Sequence, residues 1–388
     1  MDFSFPKEYQ LFRRMVREFV ENEVRPLAEE IDREHYVPFD AIVKAGKVGL
    51  MGVPFPQKYG GIGAGETGYC IFMEEINRVC PSLAAVIGAH TSIGSMAIYL
   101  GGTEEQKQKY LVPLARGEKV AAFALTEPEA GSDAAAIKTR AVRDGDDYIL
   151  NGTKTFITNG AHADVMSVMA VTDPTLGPRG GVTAFIVEKE FPGFQVGTSE
   201  NKMGIRGSNT AELIFEDCRV PKENVLGQFG AGFVTFMKSL DMGRISLGAA
   251  CLGGADACLE SSIQWAKTRQ QFGGPIAHKQ SVHFMIADMA TEIEALRSLV
   301  YRTAWMVDTG QPFSKEAAMC KVYGSEVIHR CIDSTLQIHG ALGYSRDFWV
   351  ERAFRDQRIT EIFEGTSEIQ RIVIATHLFR PEGVRISA

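Results

Sequence analysis

The segment Phe233–Thr268, FVTFMKSLDMGRISLGAACLGGADACLESSIQWAKT, decides the fold. Its helical pattern runs for longer than an ordinary globular helix. Two further segments, Ser281–Asp308 and Ser314–Leu342, are also unusually long, so the sequence predicts a helical bundle at this end of the chain. The small residues of Gly248–Cys258, GAACLGGADAC, predict that the first of these helices packs closely against a neighbour.

The sequence before this bundle changes to short β-type segments near Lys119. VAAFALTEP, DVMSVMAVT, GVTAFIVEK and AELIFEDCRV predict a series of strands typical of an antiparallel barrel or sandwich. Asp144–Gly160, DGDDYILNGTKTFITNG, predicts a hairpin of two strands joined by a turn at Asn151-Gly152.

The first 118 residues are predicted to be helical. Lys7–Asp32 has an apolar stripe at helical spacing, with Pro26 expected to bend or divide it. Thr103 begins TEEQ, a capping box. The predicted fold class is therefore α+β and multidomain: a helical N-terminal domain (1–118), an antiparallel β-barrel domain (119–230) and a C-terminal four-helix bundle (231–388).

Composition excludes several classes of function. The 388 residues carry a net charge of −7, which argues against nucleic acid as a partner. No apolar run reaches the roughly 18 residues that span a membrane, and the N-terminus has no targeting pattern. The seven cysteines are scattered without a CxxC pair, and no HExxH occurs, so we expect reduced thiols, no metal site and a cytoplasmic location.

One motif points to a different cofactor fold and is rejected. Gly63–Gly68, GAGETG, matches the G-x-G-x-x-G pattern of dinucleotide-binding proteins. That fingerprint needs a buried strand before it, whereas VPFPQKYGGI precedes it here and contains two prolines. We therefore interpret the motif as a glycine-rich surface loop.

Two β-domain segments are candidates for holding a flat polar cofactor. Ala124–Asp133, ALTEPEAGSD, offers backbone amides and the hydroxyls of Thr126 and Ser132, although an ordinary turn explains the same residues. TKTFITNG places Phe156 and Thr158 on a nearby strand, where they either pack against a ring or belong to a plain barrel strand.

Two bundle segments are candidates with equally simple structural explanations. Arg269, in KTRQQFGGPI, could pair with phosphates or simply favour a helix C-terminus. His339, in LQIHGALGY, is by itself typical of a buried structural histidine.

Glu364 is the strongest candidate for chemistry. It lies in ITEIFEGTSEIQR, in a short connection before a predicted helix whose capping box would be Ser367-x-x-Gln370. An acid at this place either stabilises the helix dipole or acts as a base. In an apolar pocket beside Phe363 and Gly365, desolvation would raise the pKa of its carboxyl toward that of a useful base.

Taken together, these motifs resemble the acyl-CoA dehydrogenase family over essentially the whole chain, nearest its short-chain, butyryl-CoA type. ALTEPEAGSD, TFITNG, KMGIRGSNTAEL, LDMGRI, TRQQFGGPI, LQIHGALGYSRDFWVERAFRD and ITEIFEGTSEIQR occur in the family's order. The resemblance implies a homotetramer with one FAD per subunit. It also implies that Glu364 removes the α-proton of an acyl-CoA while the β-hydrogen leaves as hydride to FAD, giving a trans-2-enoyl-CoA. A backbone amide at Glu364 and a ribityl hydroxyl would stabilise the enolate oxygen.

The resemblance also assigns the binding residues. Those implied for FAD are Phe123, Leu125, Thr126, Ser132, Phe156, Ile157, Thr158, Arg269, Phe272, Gln280, Gln337, Ile338, His339, Gly340, Ala341, Thr366 and Glu368, of which Arg269, Gln280 and Gln337–Ala341 would serve a neighbouring subunit. Those implied for substrate are Ser132, Asp241, Met242, Gly243, Arg244 and Gly365.

Three positions depart from patterns seen in the family. Phe156 stands where many relatives have tryptophan, and Glu129 replaces a glycine. Gly243 stands where isovaleryl- and long-chain-type relatives carry their base, which leaves Glu364 alone in that role.

Rival functions remain open on the sequence alone. The same chemistry on a branched, cyclic, aryl or dicarboxylic acyl-CoA is one, and an oxygen-using acyl-CoA oxidase or flavin monooxygenase is another. A non-catalytic helical assembly protein would need neither Glu364 nor the flavin segments. The resemblance implies an electron-transfer flavoprotein as the acceptor, and a bacterial cytoplasm or, as a mature form, a mitochondrion as the location.

Overall fold

The computed structural model describes residues 4–379, which form a helical unit, a β-sheet and a second helical unit in chain order. The predicted three-part α+β architecture is therefore confirmed. The N-terminal helices are α1 (Lys7–Phe19), α2 (Ala28–Glu34), α3 (Phe39–Lys47), α4 (Gly65–Asn77), α5 (Pro81–Gly88), α6 (Met96–Gly101), α7 (Glu104–Gln106) and α8 (Val112–Ala115).

Irregular helical turns join several of these helices. Pro26 lies in a 3₁₀ turn, Arg25–Leu27, between α1 and α2, so the predicted break is confirmed. The capping box at Thr103 is also present. The π-helical segment Ala89–Ser95 joins α5 to α6. Together Pro81–Gly101 is long and apolar enough to cross a membrane, contrary to our reading of the sequence, but 72% of it is buried inside the protein as a core helix.

The middle of the chain forms one eight-stranded mixed sheet. Its strands are β1 (Ala121–Ala124), β2 (Arg140–Asp144), β3 (Asp147–Thr158), β4 (Val165–Val171), β5 (Val182–Glu188), β6 (Phe194–Ser199), β7 (Thr210–Pro221) and β8 (Val225–Leu226). Seven strands follow the order β6-β7-β3-β2-β4-β5-β8, and β1 pairs with β4 outside this order. Most pairs are antiparallel as predicted, but β1 and β2 both run parallel to β4. The short helix α9 (Pro178–Gly181) precedes β5.

The predicted turn at Asn151-Gly152 is wrong. Both residues lie inside the continuous strand β3, where the register against β7 shifts between Leu150 and Gly152. The chain reverses instead at Gly145, which has φ +63° between β2 and β3. Asn-Gly therefore marks a bulge here, because a Cβ at position 152 would lie 2.7 Å from the Cα of Thr139.

The C-terminal unit is the predicted bundle of long helices. A two-stranded ribbon, β9 (Gln270–Gln271) and β10 (Gly274–Pro275), follows the first helix. The small residues do allow close packing, since a Cβ at Gly253 would lie 1.8 Å from the carbonyl oxygen of Glu74 on α4. The helices are α10 (Gly232–Thr268), α11 (Gln280–Asp308), α12 (Ser314–His339), α13 (Ala341–Tyr344), α14 (Trp349–Gln357) and α15 (Ser367–Phe379).

The GAGETG motif has a structural role, but the prediction of a surface loop is wrong for its second half, which is the buried start of a helix. No strand precedes it, and its middle glycine, Gly65, begins α4. The first amides of that helix, Glu66 N and Thr67 N, donate to the carboxylate of Asp308 at the end of α11. The motif is thus a helix start capped by a distant residue, and not a free loop.

Candidate active site

Glu364 lies in the connection between a 3₁₀ turn, Arg358–Glu361, and α15. Its φ is +54° and that of Gly365 is +87°, so two consecutive residues are left-handed. This conformation costs a non-glycine residue roughly 1–2 kcal/mol, and such strain is typical of functional sites. Gln370 Nε2 holds the turn by donating to the carbonyl oxygens of Glu364 (3.2 Å) and Gly365 (3.1 Å).

Glycine is required at both positions that touch this connection. A Cβ at Gly365 would lie 2.4 Å from Gln370 Nε2. A Cβ at Gly243, on α10, would lie 2.6 Å from Oε2 of Glu364 and 2.8 Å from Cγ2 of Ile93. The carboxylate of Glu364 therefore extends over Gly243 and fills the space that a side chain there would need.

One oxygen of the Glu364 carboxyl is held away from water without a partner, and the residue as a whole is partly buried. Its Oε2 atom is buried and has no hydrogen-bond partner among residues 4–379. Burial raises the pKa of this carboxyl to about 7, against the opposing effect of Arg244 and Lys321. A partly buried carboxylate with a pKa near neutral pH is suited to accept a proton from carbon.

Arg244 holds the base in place by binding the backbone of Glu364. Its Nε donates to the carbonyl oxygen of Glu364 at 3.3 Å, and its Nη1 donates to Oδ1 of Asp241 at 2.6 Å. Ser314 Oγ donates to the other oxygen of Asp241 at 2.6 Å. Two nitrogens of the guanidinium are thus bonded to the protein, and they orient the connection that carries Glu364.

A cleft of about 940 Å³ lies beside this place. Asp241 and Met242 in its wall flank Gly243, over which the base lies. Side chains from α6, including Met96 and Tyr99, form another wall. The cleft therefore has an apolar part together with charged side chains of both signs, which are the basic residues Lys238, Lys315 and His377 and the acidic residues Glu66, Asp241, Asp308 and Glu316.

The two candidate flavin segments are adjacent in the sheet. Thr155 N donates to the carbonyl oxygen of Thr126 at 2.9 Å, which places TFIT beside ALTEP. Phe156 has φ +55° and is 62% exposed, whereas the next residue, Ile157, is buried. The hydroxyls of Thr126 and Thr158 make no hydrogen bond within the described part of the chain. An exposed ring and free hydroxyls fit a flat polar group.

Other residues of these segments have different positions. Phe123 is buried, and its ring packs against Phe236 of α10 with centroids 4.2 Å apart. Leu125 is also buried, and its carbonyl oxygen accepts from Lys154 Nζ at 3.0 Å. Ser132 is exposed in the loop between β1 and β2.

The candidate residues of the bundle lie at its other end. Arg269 is stacked over the ring of Trp265 (5.9 Å), which itself stacks on His339 (5.3 Å). Phe236 and Arg269 are separated by 33 residues along α10, about 50 Å at 1.5 Å per residue. One chain therefore does not bring Arg269 and the segment around Phe123 to the same ligand. Ile338 is buried, whereas five other candidate residues are exposed: Phe272, Gln280, Gln337, Gly340 and Ala341.

The predicted capping box of α15 is wrong. Ser367 is already helical, and the residue before it, Thr366, is the cap, with Ile369 N donating to its Oγ1 at 3.4 Å. Gln370 instead binds the two carbonyl oxygens before the helix. Glu368 is exposed in the first turn of the helix.

Sequence reasoning missed two residues of this site. One is Gln370, whose role was assigned to a cap. The other is Lys321 of α12, which is fully buried and whose Nζ has no partner among residues 4–379. A lysine in the helical pattern with apolar and small neighbours was the available signal, since lysine is rarely buried without a reason.

The remaining chemical groups are structural. Within the described residues no cluster of three histidine, cysteine or acidic side chains could hold a metal ion. The seven cysteines are free thiols in the interior. His90 is buried, with its Nε2 3.1 Å from the carbonyl oxygen of Leu114, and burial lowers its pKa to about 4.

Comparison with known proteins identifies the three parts of the chain. Residues 6–118 match the N-terminal domain of acyl-CoA dehydrogenase, residues 122–218 its middle domain, and residues 230–379 its C-terminal domain.

Three relatives cover nearly all of the chain. Short-chain specific acyl-CoA dehydrogenase of Clostridium acetobutylicum is 47% identical over 98% of this chain and 100% of its own length. Acryloyl-CoA reductase (NADH) of Anaerotignum propionicum is also 47% identical, over 98% of this chain and 96% of its own. The structure of butyryl-CoA dehydrogenase from Megasphaera elsdenii superposes with a TM-score of 0.95 at 42% identity, covering 98% of this chain and 100% of that one. The chain therefore belongs to the acyl-CoA dehydrogenase family of FAD-dependent enzymes.

Proposed function

We propose that this enzyme oxidises a short- or medium-chain acyl-CoA to the trans-2-enoyl-CoA, with Glu364 as the base that removes the α-proton. The observation that carries the proposal is the carboxyl of Glu364, which lies over Gly243 with Oε2 buried, unpartnered and of pKa about 7. A carboxylate without a hydrogen-bond donor is a stronger base than a solvated one.

The backbone at Glu364 supplies the second element of the chemistry. Its amide N–H makes no hydrogen bond within residues 4–379. The left-handed conformation of Glu364 and Gly365 turns this stretch out of helical hydrogen bonding. An amide free to donate to the thioester oxygen stabilises enolate charge as it develops and acidifies the α-proton.

The β-domain segments are proposed to hold the isoalloxazine ring of FAD. Bound FAD supplies the two-electron acceptor for the β-hydrogen. The exposed ring of Phe156 and the free hydroxyls of Thr126 and Thr158 fit such a group, and they lie on adjacent segments. The residues proposed for this part of the site are Phe123, Leu125, Thr126, Ser132, Phe156, Ile157 and Thr158, with Thr366 and Glu368 beside them.

The far end of the bundle is proposed to serve the FAD of a neighbouring subunit in a homotetramer. The 50 Å length of α10 between Phe236 and Arg269 prevents one chain from supplying both ends to one FAD. Phe272 and Tyr344 are 91% and 79% exposed, which is unusual for aromatic residues on a surface that faces only water. The residues concerned are Arg269, Phe272, Gln280, Gln337, Ile338, His339, Gly340 and Ala341.

The substrate is proposed to be uncharged at its acyl end. Arg244 is already bound to Asp241 and to the backbone of Glu364, and His90 is buried in the protein. Two nitrogens of Arg244 are therefore occupied and His90 is out of reach, which disfavours a dicarboxylic acyl-CoA, although Lys238, Lys315 and His377 line the neighbouring cleft. The residues proposed to contact substrate are Ser132, Asp241, Met242, Gly243, Arg244 and Gly365.

Electron-transfer flavoprotein is proposed as the acceptor of electrons from the reduced enzyme. Outside the FAD segments, the described residues contain no metal cluster or disulfide that would serve as a second redox centre. A bacterial cytoplasm is proposed as the location, supported by the bacterial relatives at 47% identity.

The test is the visible spectrum of the FAD-loaded protein before and after anaerobic addition of butyryl-CoA. We expect the flavin bands to bleach, with crotonyl-CoA as the product. Bleaching only with longer, branched or aryl thioesters would overturn the short-chain assignment. Absence of bleaching with every acyl-CoA would overturn the function itself.

A second candidate is the reverse reaction, reduction of a 2-enoyl-CoA. Acryloyl-CoA reductase (NADH) of Anaerotignum propionicum is as similar to this chain as the dehydrogenase from Clostridium. Glu364 in its protonated form would then deliver the α-proton. Anaerobic reoxidation of the dithionite-reduced enzyme by acryloyl-CoA or crotonyl-CoA, faster than bleaching by the saturated thioester, would favour this direction.

A further inference from the structure

Lys321 presents a buried charge that the proposed reaction does not use. Its side chain is fully buried on α12, and no acceptor among residues 4–379 is within hydrogen-bond distance of its Nζ. Buried ammonium groups are normally paired, because an unpaired one carries a large desolvation penalty. The buried ammonium of Lys321 therefore lowers the stability of the folded protein.

The position of Lys321 relates it to the connection that carries the base. One turn further along α12, Ser325 Oγ lies 3.4 Å from Oγ of Ser367, in the first turn of α15. At Gly324 a Cβ would lie 3.3 Å from Cβ of Cys251 on α10. Residues three and four positions apart share a helix face. Lys321 thus lies on the face of α12 that packs against α10 and the start of α15.

Of the acidic groups that act on Lys321, one is left without a partner. The thiol of Cys251 is neutral, because burial raises its pKa to about 12. Glu361 is already paired with His329 at 2.7 Å and with Arg358 at 3.2 Å. Glu364 has the unpartnered Oε2 atom. The other groups near the pair are Arg244 on α10, Tyr69 on α4 and Glu368 on α15.

We propose that Lys321 is a positioning residue for the base: its ammonium stabilises the ionised carboxylate of Glu364, whose Oε2 atom is buried. The proposal rests on the proposed function, since it takes Glu364 to be the base. Nζ of Lys321 and Oε2 of Glu364 both lack hydrogen-bonded partners. The ammonium therefore attracts the carboxylate without forming a hydrogen-bonded ion pair with it. The carboxylate stays ionised and yet remains free to accept the α-proton.

The titration of the two groups agrees with this assignment. Burial raises the pKa of Glu364 to about 7 and lowers the pKa of Lys321 to about 8. Arg244 and Lys321 are the two cations that oppose the rise at Glu364. Since Arg244 is bound to Asp241 at 2.6 Å, Lys321 is the cation without a competing carboxylate.

The experiment is an infrared titration of the FAD-loaded protein without substrate. The carbonyl stretch of protonated Glu364 is identified by its loss in Glu364→Gln and followed against pH. In Lys321→Met the midpoint should rise by about one unit or more, as expected on removal of a nearby opposite charge. Lys321→Arg, which keeps the charge, should return the midpoint toward the wild-type value. An unchanged midpoint in Lys321→Met would overturn the proposal.

A matched control and a stability measurement separate this role from a structural one. Lys222→Met removes an exposed lysine paired with Asp146 and should leave the midpoint unchanged. Thermal unfolding of Lys321→Met should occur at or above the wild-type temperature, because an unpaired buried charge is removed. If Lys321→Met and Lys321→Gln both failed to fold, Lys321 would be structural and the proposal wrong.

The titration is also independent of the proposed function. If no acyl-CoA bleached the flavin of the wild-type protein, the proposed function would be wrong. The infrared midpoints would still show whether Lys321 acts on Glu364.

Discussion

Two fully buried lysines within residues 4–379 lie in opposite settings. Behind the flavin segments, Lys154 Nζ donates to Oε1 of Glu127 at 2.8 Å and to the carbonyl oxygen of Leu125 at 3.0 Å. The carboxylate of Glu127 also accepts hydrogen bonds from the backbone amides of Lys138 and Thr139, just before β2. Beside the base, Lys321 has no partner at all within those residues.

The difference shows two uses of buried charge. In the flavin segments Lys154 and Glu127 are paired with each other and bonded to the backbone, which fixes the shape of the backbone that must present Thr126. In the base pocket Lys321 and Glu364 keep unsatisfied atoms, which lowers stability and leaves the carboxylate reactive. Substitutions in the two regions should therefore have different effects on rate and on stability.

Glu364→Gln should remove the chemistry of the base pocket and leave the flavin segments intact. The amide keeps the size of the carboxyl but has no lone pair basic enough to take the α-proton. We expect the rate of flavin bleaching by butyryl-CoA to fall by about four orders of magnitude, with the FAD content unchanged. Stopped-flow absorbance and the ratio of flavin to protein absorbance measure the two quantities. A variant with a tenth of the wild-type rate would show that another group is the base.

Lys154→Met should damage the flavin segments by destabilising the protein. It leaves the carboxylate of Glu127, which is only 5% exposed, buried without its cation. Breaking a buried pair in this way costs about 3–5 kcal/mol. We expect a lower unfolding temperature and weaker FAD binding, measured by calorimetry and flavin fluorescence.

The double variant Lys154→Met/Glu127→Gln is the control for this change. It should recover part of the lost stability, because no uncompensated charge remains. Equal stability of Lys154→Met and the wild type would contradict the assigned role of the pair.

Gly243→Ala should disturb the base pocket through geometry alone. The new Cβ would lie 2.6 Å from Oε2 of Glu364, so the carboxylate must move. A displacement of about 1 Å costs roughly a hundredfold in rate, and FAD binding should not change. Gly88→Ala is the matched control, since its Cβ would make ordinary contacts with Met73 at 3.6 Å and Ser92 at 3.9 Å. Equal rates for the two variants would show that the base tolerates the methyl group.

The sequence was sufficient for the helices, the order of the three parts and the place of Glu364 before a helix. These features depend on local patterns, such as helical periodicity and capping, that a single segment carries. The turn at Asn151-Gly152 could not be placed correctly, because the bulge in β3 depends on the close approach of Thr139 from another segment. The parallel pairing of β1 with β4 depends likewise on a contact that no local pattern encodes.

The site was predictable in its residues but less so in its geometry. The relation between Gly243 and Glu364 joins positions 121 residues apart, and only the folded chain shows that the absent side chain makes room for the carboxylate. Thr366 has the capping role that was expected of Ser367, because the helix begins one residue earlier than the capping pattern indicates, and Gln370 binds the two carbonyl oxygens before the helix. Lys321 was missed since its burial arises from packing between α10, α12 and α15.

The smallest expected effect is the pH dependence of stability, and it should have opposite signs in the two regions. The pKa of Glu364 in the folded protein is about 7, above the value of about 4.3 in an unfolded chain. Between these values the folded state binds more protons, so the free energy of unfolding falls as pH rises through this window. Glu364→Gln removes this loss and should therefore unfold a few degrees above the wild type at pH 8.

At Glu127 burial alone would raise the pKa, but Lys154 lowers it below its ordinary value. Its contribution is therefore present above about pH 4.3 and is lost as the pH falls further. Glu127→Gln should accordingly unfold below the wild type at pH 8, and the difference should shrink toward pH 3. Calorimetry of both variants across this range measures the two signs. The same sign at both sites would mean that Glu364 is ionised in the folded protein as easily as in the unfolded chain, and the contrast between the two regions would then be wrong.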